Sequence, residues 1–126
     1  MNMLLAIFIG GGTGAVARHF SVLAAARVFG ETFPWGTLFV NVLGSFIIGV
    51  LMEGAALKWQ IGPDMRALLG TGFLGGFTTF SAFSFDFFKL ADTGHMMSAV
   101  GYAAASVSLS FVAVFGGIFL IRGVLG

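Results

Sequence analysis

Six side chains stand out because their types and spacing suit the handling of an ion. Thr37, Asn41 and Ser45 recur every four residues, and so do Tyr102, Ser106 and Ser110. On a helix that interval keeps side chains on one face, so each set forms a stripe of hydroxyl and amide groups. Every member can donate a hydrogen bond, and none is charged at neutral pH. A lining rich in donors and free of carboxylates favours an anion over a cation. The bland alternative is that serine and threonine bond back to their own helix while asparagine joins helices. Two regular stripes together favour a polar track.

Phe80 and Phe83 are three residues apart and so lie on nearly one helical face. An aromatic ring has a positive edge, and edges turned inward can contact an anion that has shed part of its water. With sixteen phenylalanines in the chain, most simply face lipid or core. These two are set apart by their place in and beside Gly72-Phe73-Leu74-Gly75-Gly76-Phe77-Thr78-Thr79-Phe80-Ser81. Clustered glycine and threonine there replace the leucine and valine of a plain membrane helix, and the helix is expected to break. A break frees backbone carbonyls and amides, which at membrane depth must be buried in protein or used to hold an ion. If two inverted copies meet at this segment, their carbonyls converge on a cation at the two-fold axis. Arg18 is the remaining ionisable candidate, either snorkelling to the interface or lining a vestibule that concentrates anions.

Other chemistries are disfavoured. The run Gly10-Gly11-Gly12-Thr13-Gly14 lacks a preceding strand and the complete spacing of a nucleotide-binding loop. With no cysteine and two isolated histidines, disulfides, thiolate sites and clustered metal ligands drop out. Ser106 and Ser110 have no histidine at their depth, so no nucleophile, base and orienter can be assembled and no enzyme is expected. No nucleic-acid partner is expected either.

The elements that must position these residues follow from composition. The chain has 126 residues, of which 58% are hydrophobic and 9% charged, against about 25% charged in ordinary soluble domains. So small a core cannot hide that much apolar surface, whereas a bilayer spanned by helices of about 20 apolar residues can. Charged residues punctuate four spans: Met3 to Ala26, Pro34-Trp35 to Leu57, Met65 to Leu90, and residues 96 to 121. The first is read as retained, because Met1-Asn2-Met3 lacks the positive region of a signal peptide. Proline and tryptophan suit the interfacial start of the second, and Asp64 is expected to cap the third. The expected fold is an all-α membrane protein, one domain over residues 1–126, with the third helix broken mid-membrane.

Four spans put both termini on one side of the bilayer, with Lys58, Arg66 and Arg122. Arg27, Lys89 and Arg18 lie opposite. Orientation follows an excess of lysine and arginine in cytoplasmic loops, and here the two sides balance. A chain without a preferred orientation is expected to insert both ways and to pair with an inverted copy. Gly10 and Gly14, Ser45 and Gly49, and Gly72 and Gly76 each have the four-residue spacing that lets helices approach closely.

Over essentially its whole length the chain resembles the Fluc (CrcB) family of fluoride ion channels. The resemblance is carried by Gly11-Gly12-Thr13-Gly14-Ala15-Val16-Ala17-Arg18, by Trp35-Gly36-Thr37-Leu38-Phe39-Val40-Asn41-Val42-Leu43-Gly44, and by the unusual block from Gly72 to Ser81. It implies an antiparallel, dual-topology homodimer in the inner (plasma) membrane, with two fluoride pathways and a structural sodium ion at the centre. It places Asn41, Phe80 and Phe83 in the pore, Thr37, Tyr102, Ser106 and Ser110 in its polar track, and Arg18 near an aqueous entrance. The carbonyls of Gly75 and Thr78 would be the sodium ligands. Ala82 stands where the family often has threonine, and Asp86 where glutamate is usual. The function implied is passive export of cytoplasmic fluoride, giving fluoride resistance. The residues fit: a small, tightly hydrated anion needs several close donors in place of its water. Two alternatives remain. A proton-coupled exporter of cationic drugs needs a deep membrane carboxylate, and Glu53 and Asp86 lie toward helix ends. A non-transporting assembly subunit would use the same polar groups as inert glue.

Overall fold

Asn2 caps the first helix. Its side chain accepts the Leu4 amide at 2.7 Å, which satisfies one of the donors that a helix start leaves unpaired. The computed structural model describes residues 2–126. In it α1 (Met3–Phe29) runs past the expected Ala26 to Gly30, whose φ of +87° admits glycine and disfavours other residues. After Pro34 comes α2 (Trp35–Leu57), starting where the sequence placed it.

The third span, Pro63–Asp92, changes geometry along its length. It begins with α3 (Pro63–Arg66), widens into a π-helical segment (Ala67–Leu74), and regains α geometry in α4 (Gly75–Phe77). Thr78 and Thr79 are then extended, with φ/ψ of −88°/157° and −155°/117°, before α5 (Phe80–Asp92) resumes. The expected break within residues 72–81 therefore falls at Thr78–Thr79, and the irregularity starts earlier than expected, at Ala67. Asp64 is not the cap. Gly62 holds that position with Pro63 at the first helical residue, and Asp64 sits in the first turn, where a negative charge still complements the helix dipole. The last helix, α6 (Met96–Leu125), follows Gly94 at φ +83° and continues past Arg122. Among the described residues four spans are long and apolar enough to cross a membrane, and the chain is a multi-pass membrane protein.

Small residues set the packing. On α1, a Cβ at Gly10 would strike the Leu68 carbonyl and one at Gly14 the Phe73 carbonyl. From the other side, a Cβ at Gly76 would strike the Gly11 carbonyl. The two glycine pairs of residues 10/14 and 72/76 thus meet each other, and α1 lies parallel to the first part of the third span. Gly49 and Gly117 do the same for α2 and α6, against Val114 and Phe46. These two helices also run parallel, and the Arg122 guanidinium meets the Glu53 carboxylate near their ends. Without a hydrophobic drive inside lipid, such backbone contact supplies much of the adhesion between helices. The cluster of Leu38, Leu90, Ala99 and Tyr102, flanked by Phe33, Phe83 and Phe87, joins α2, α5 and α6. Large apolar residues such as Phe8, Phe111 and Met97 face outward.

Candidate functional site

The parallel arrangement of α2 and α6 brings the two polar stripes into register. Between them and the broken span lies a cavity of about 550 Å³. Its walls include Asn41 and Ser45 from α2, Ser106 and Ser110 from α6, and Gly75, Thr78, Phe80 and Phe83 from the third span. Phe80 and Phe83 have ring centroids 5.4 Å apart and planes inclined by 56°. Phe80 is 76% exposed within the single chain, directly after the two extended residues of the break.

Ser106 is 6% exposed, and its hydroxyl has no hydrogen-bond partner among the described residues. A buried hydroxyl left unpaired costs about 1–3 kcal/mol. At a cavity wall it is a donor available to whatever enters. Ser45 differs: its hydroxyl donates to the Asn41 carbonyl at 2.7 Å, the local back-bonding typical of serine in helices. Ser45 lines the cavity without offering that hydrogen to it.

Asn41 joins the stripe to the break. Its Nδ2 donates to the Thr79 carbonyl at 3.1 Å, and its Oδ1 accepts the Thr79 amide at 2.7 Å. The extended residue thus has both backbone groups satisfied by one side chain, which bilayer depth demands because no water can replace it. The amide still has a second N–H to offer. Thr79 in turn caps α5, its hydroxyl accepting the Ala82 amide at 3.1 Å, and the Thr78 hydroxyl donates to Leu74 at 2.8 Å.

Thr37 and Tyr102 sit apart from the larger cavity. Tyr102 is fully buried, with its ring 5.1 Å from Phe83 and 5.4 Å from Phe33. Its hydroxyl donates to Asp86 Oδ2 at 3.2 Å, and Asp86 Oδ1 lies 3.8 Å from Lys89 Nζ. Thr37, Asp86, Lys89 and Glu31 line a second cavity of about 440 Å³. The Phe83–Tyr102 contact therefore stands between two cavities, one helical turn apart along α2. Arg18 is also separate, with its Nε donating to the Gly76 carbonyl at 3.1 Å. Sequence reasoning missed these three partners, Thr79 for Asn41, Asp86 for Tyr102 and Gly76 for Arg18. The readable signals were that asparagine joins membrane helices and that a buried phenol needs a partner.

The break also bears on a cation. The Gly76 and Thr79 carbonyls accept from Arg18 and Asn41, whereas among the described residues nothing donates to those of Gly75 and Thr78. Unpaired carbonyl oxygens of this kind suit a hard cation, so the donor set fits sodium. No cluster of three histidine, cysteine or acidic side chains occurs among the described residues.

A sequence profile of the family described as CrcB-like protein, Camphor Resistance (CrcB), matches residues 5–118. The chain is 48% identical over 125 residues to a fluoride-specific ion channel FluC of Chelativorans sp. (strain BNC1), covering 99% of this chain and 100% of the relative. It is 49% identical, with the same coverage, to the protein of that name from Rhizobium meliloti (strain 1021). To the one from Geobacter sulfurreducens it is 44% identical over 97% of this chain and 98% of the relative. With matches of this extent laid over the broken span and its cavity, the chain belongs to the CrcB family.

Proposed function

We propose that this protein is a passive, selective fluoride channel of the inner (plasma) membrane that lets cytoplasmic fluoride out. The observation that carries the reading is the buried, unpartnered Ser106 hydroxyl on a cavity walled by Asn41, Phe80 and Phe83. The names of the relatives support the choice of fluoride.

A fluoride ion leaving water must recover several close hydrogen bonds. Ser106, Ser110 and the second N–H of Asn41 offer them along the larger cavity, and phenyl edges of Phe80 and Phe83 complete the contact. Beyond Phe83 the track continues to Thr37 and Tyr102. The Tyr102 hydroxyl becomes available to the ion when it leaves Asp86. Glu53 is engaged by Arg122, and Asp86 by Tyr102 and Lys89, so neither is a free membrane carboxylate for proton-coupled exchange. Flow is downhill and protects a cell because fluoride enters as its neutral acid and ionises inside.

The assembly belongs to the same proposal. The balanced charges favour insertion in both orientations, and the exposed Phe80 beside an open backbone calls for cover at membrane depth. An inverted second copy supplies it, giving an antiparallel homodimer with two pores. The carbonyls of Gly75 and Thr78 in both copies would hold the sodium ion, which when bound supplies a fixed positive charge tying the two breaks together.

Efflux from liposomes containing the purified protein tests the function, with fluoride and chloride compared under equal gradients by ion-selective electrodes. Rapid fluoride release with little chloride release is expected. No fluoride release from verified folded dimers rejects the channel and favours an assembly subunit.

A further inference from the structure

We propose that Arg18 is a positioning residue that holds the break through the Gly76 carbonyl, instead of an entrance charge that attracts anions. Its effect on selectivity rests on the channel reading, whereas its effect on the backbone does not.

Arg18 lies in a membrane span, where a guanidinium needs a partner. Among the described residues that partner is the Gly76 carbonyl at 3.1 Å, with no carboxylate paired to it. Gly76 is next to last in α4. Its carbonyl would normally accept the amide four residues on, but the chain turns extended at Thr78–Thr79 and carries that amide away. Arginine supplies both the missing donor and a positive charge at the negative end of the helix.

The placement follows from α1. Gly11, Ala15 and Arg18 share one helical face by their spacing. The backbone of Gly76 rests on that face: a Cβ there would run into the Gly11 carbonyl and lie 3.1 Å from the Ala15 nitrogen. The guanidinium thus reaches Gly76 by helix geometry. Asn41 grips Thr79 from α2, so the break is held from two neighbouring helices. Phe80 follows immediately. Its ring is mostly exposed and contacts Phe83, so the path of the backbone before it fixes where it stands.

The test uses full-length protein carrying Arg18→Met, which removes donor and charge, or Arg18→Lys, which keeps charge without the planar donor set. Amide hydrogen exchange is followed in residues 75–82 and, as a control, in residues 99–113 of α6. With Arg18→Met, exchange in 75–82 should accelerate by about tenfold or more, as for a lost hydrogen bond to a charged group, while α6 stays unchanged. Fluoride-to-chloride discrimination should fall equally at low and high salt, and Arg18→Lys should restore only part of it. Unchanged exchange in 75–82 overturns the proposal. So does a flux defect that vanishes at high salt, where exposed charges are screened, or that lysine fully repairs. If Arg18→Met disturbs α6 as well, Arg18→Lys decides alone: faster exchange confined to 75–82 supports the clamp, and none refutes it. Absence of fluoride flux in the native protein, with exchange responding as expected, rejects the channel and leaves the clamp standing.

Discussion

Asn41→Ala removes two hydrogen bonds at once, those to the Thr79 carbonyl and from the Thr79 amide. Each backbone group left without a partner costs about 1–3 kcal/mol, and at membrane depth water cannot relieve it. The loss is therefore about 2–6 kcal/mol, against a total stability of about 5–15 kcal/mol for a typical domain. Asn41→Asp refines the test. The ionised acid can accept the Thr79 amide but has no hydrogen for the Thr79 carbonyl, whereas the protonated acid can do both. Resistance to unfolding by sodium dodecyl sulfate, followed by tryptophan fluorescence, should fall sharply for Asn41→Ala at all pH values. For Asn41→Asp it should approach the native value under acid conditions and decline as pH rises, because the neutral form is the one that fits. Native-like unfolding in Asn41→Ala, together with lost fluoride flux, would refute the bridging role and leave Asn41 as a ligand of the ion alone.

Three further outcomes follow from the same geometry. Ser106→Ala should lower fluoride flux by roughly tenfold while stability holds or rises by about 1 kcal/mol, since it deletes an unpaired buried hydroxyl; equal flux in liposomes removes Ser106 from the track. Gly76→Ala should cost about 1–3 kcal/mol or more through its collision with the Gly11 carbonyl, whereas Gly12→Ala, with nothing within 4 Å, should match the native protein in the same unfolding assay. Phe80→Ile and Phe83→Ile should suppress fluoride flux while keeping the size-exclusion profile of the native protein, and unchanged flux in both excludes the rings from the pathway.

The spans were legible because hydropathy and charge punctuation are local. The break was legible because Gly72 to Ser81 is a composition no plain membrane helix needs. The stripes of Thr37/Asn41 and Ser106/Ser110 were legible from spacing, yet spacing cannot say what a hydroxyl already touches. Ser45 shares its face with Asn41 and has its hydrogen engaged with the Asn41 carbonyl, while Ser106 has no partner among the described residues. Asn41 and Thr79 are 38 residues apart, and Arg18 and Gly76 are 58 apart. Such pairings depend on which helices become neighbours, which periodicity does not encode. The π-helical stretch at Ala67–Leu74 had no local sign beyond its glycines.

The third span changes neighbours at Thr78–Thr79. Before that point its residues rest on α1, with Gly72 and Gly76 against Gly10 and Gly11; after it, Phe83 and Asp86 face Tyr102 of α6. A single hydrophobic segment is thus fitted to two separate neighbours. Among descendants of such a chain, replacements ahead of the two threonines should be balanced by replacements in α1, and those behind them by replacements in α6. The threonines mark where that evolutionary bookkeeping switches from one helix to the other.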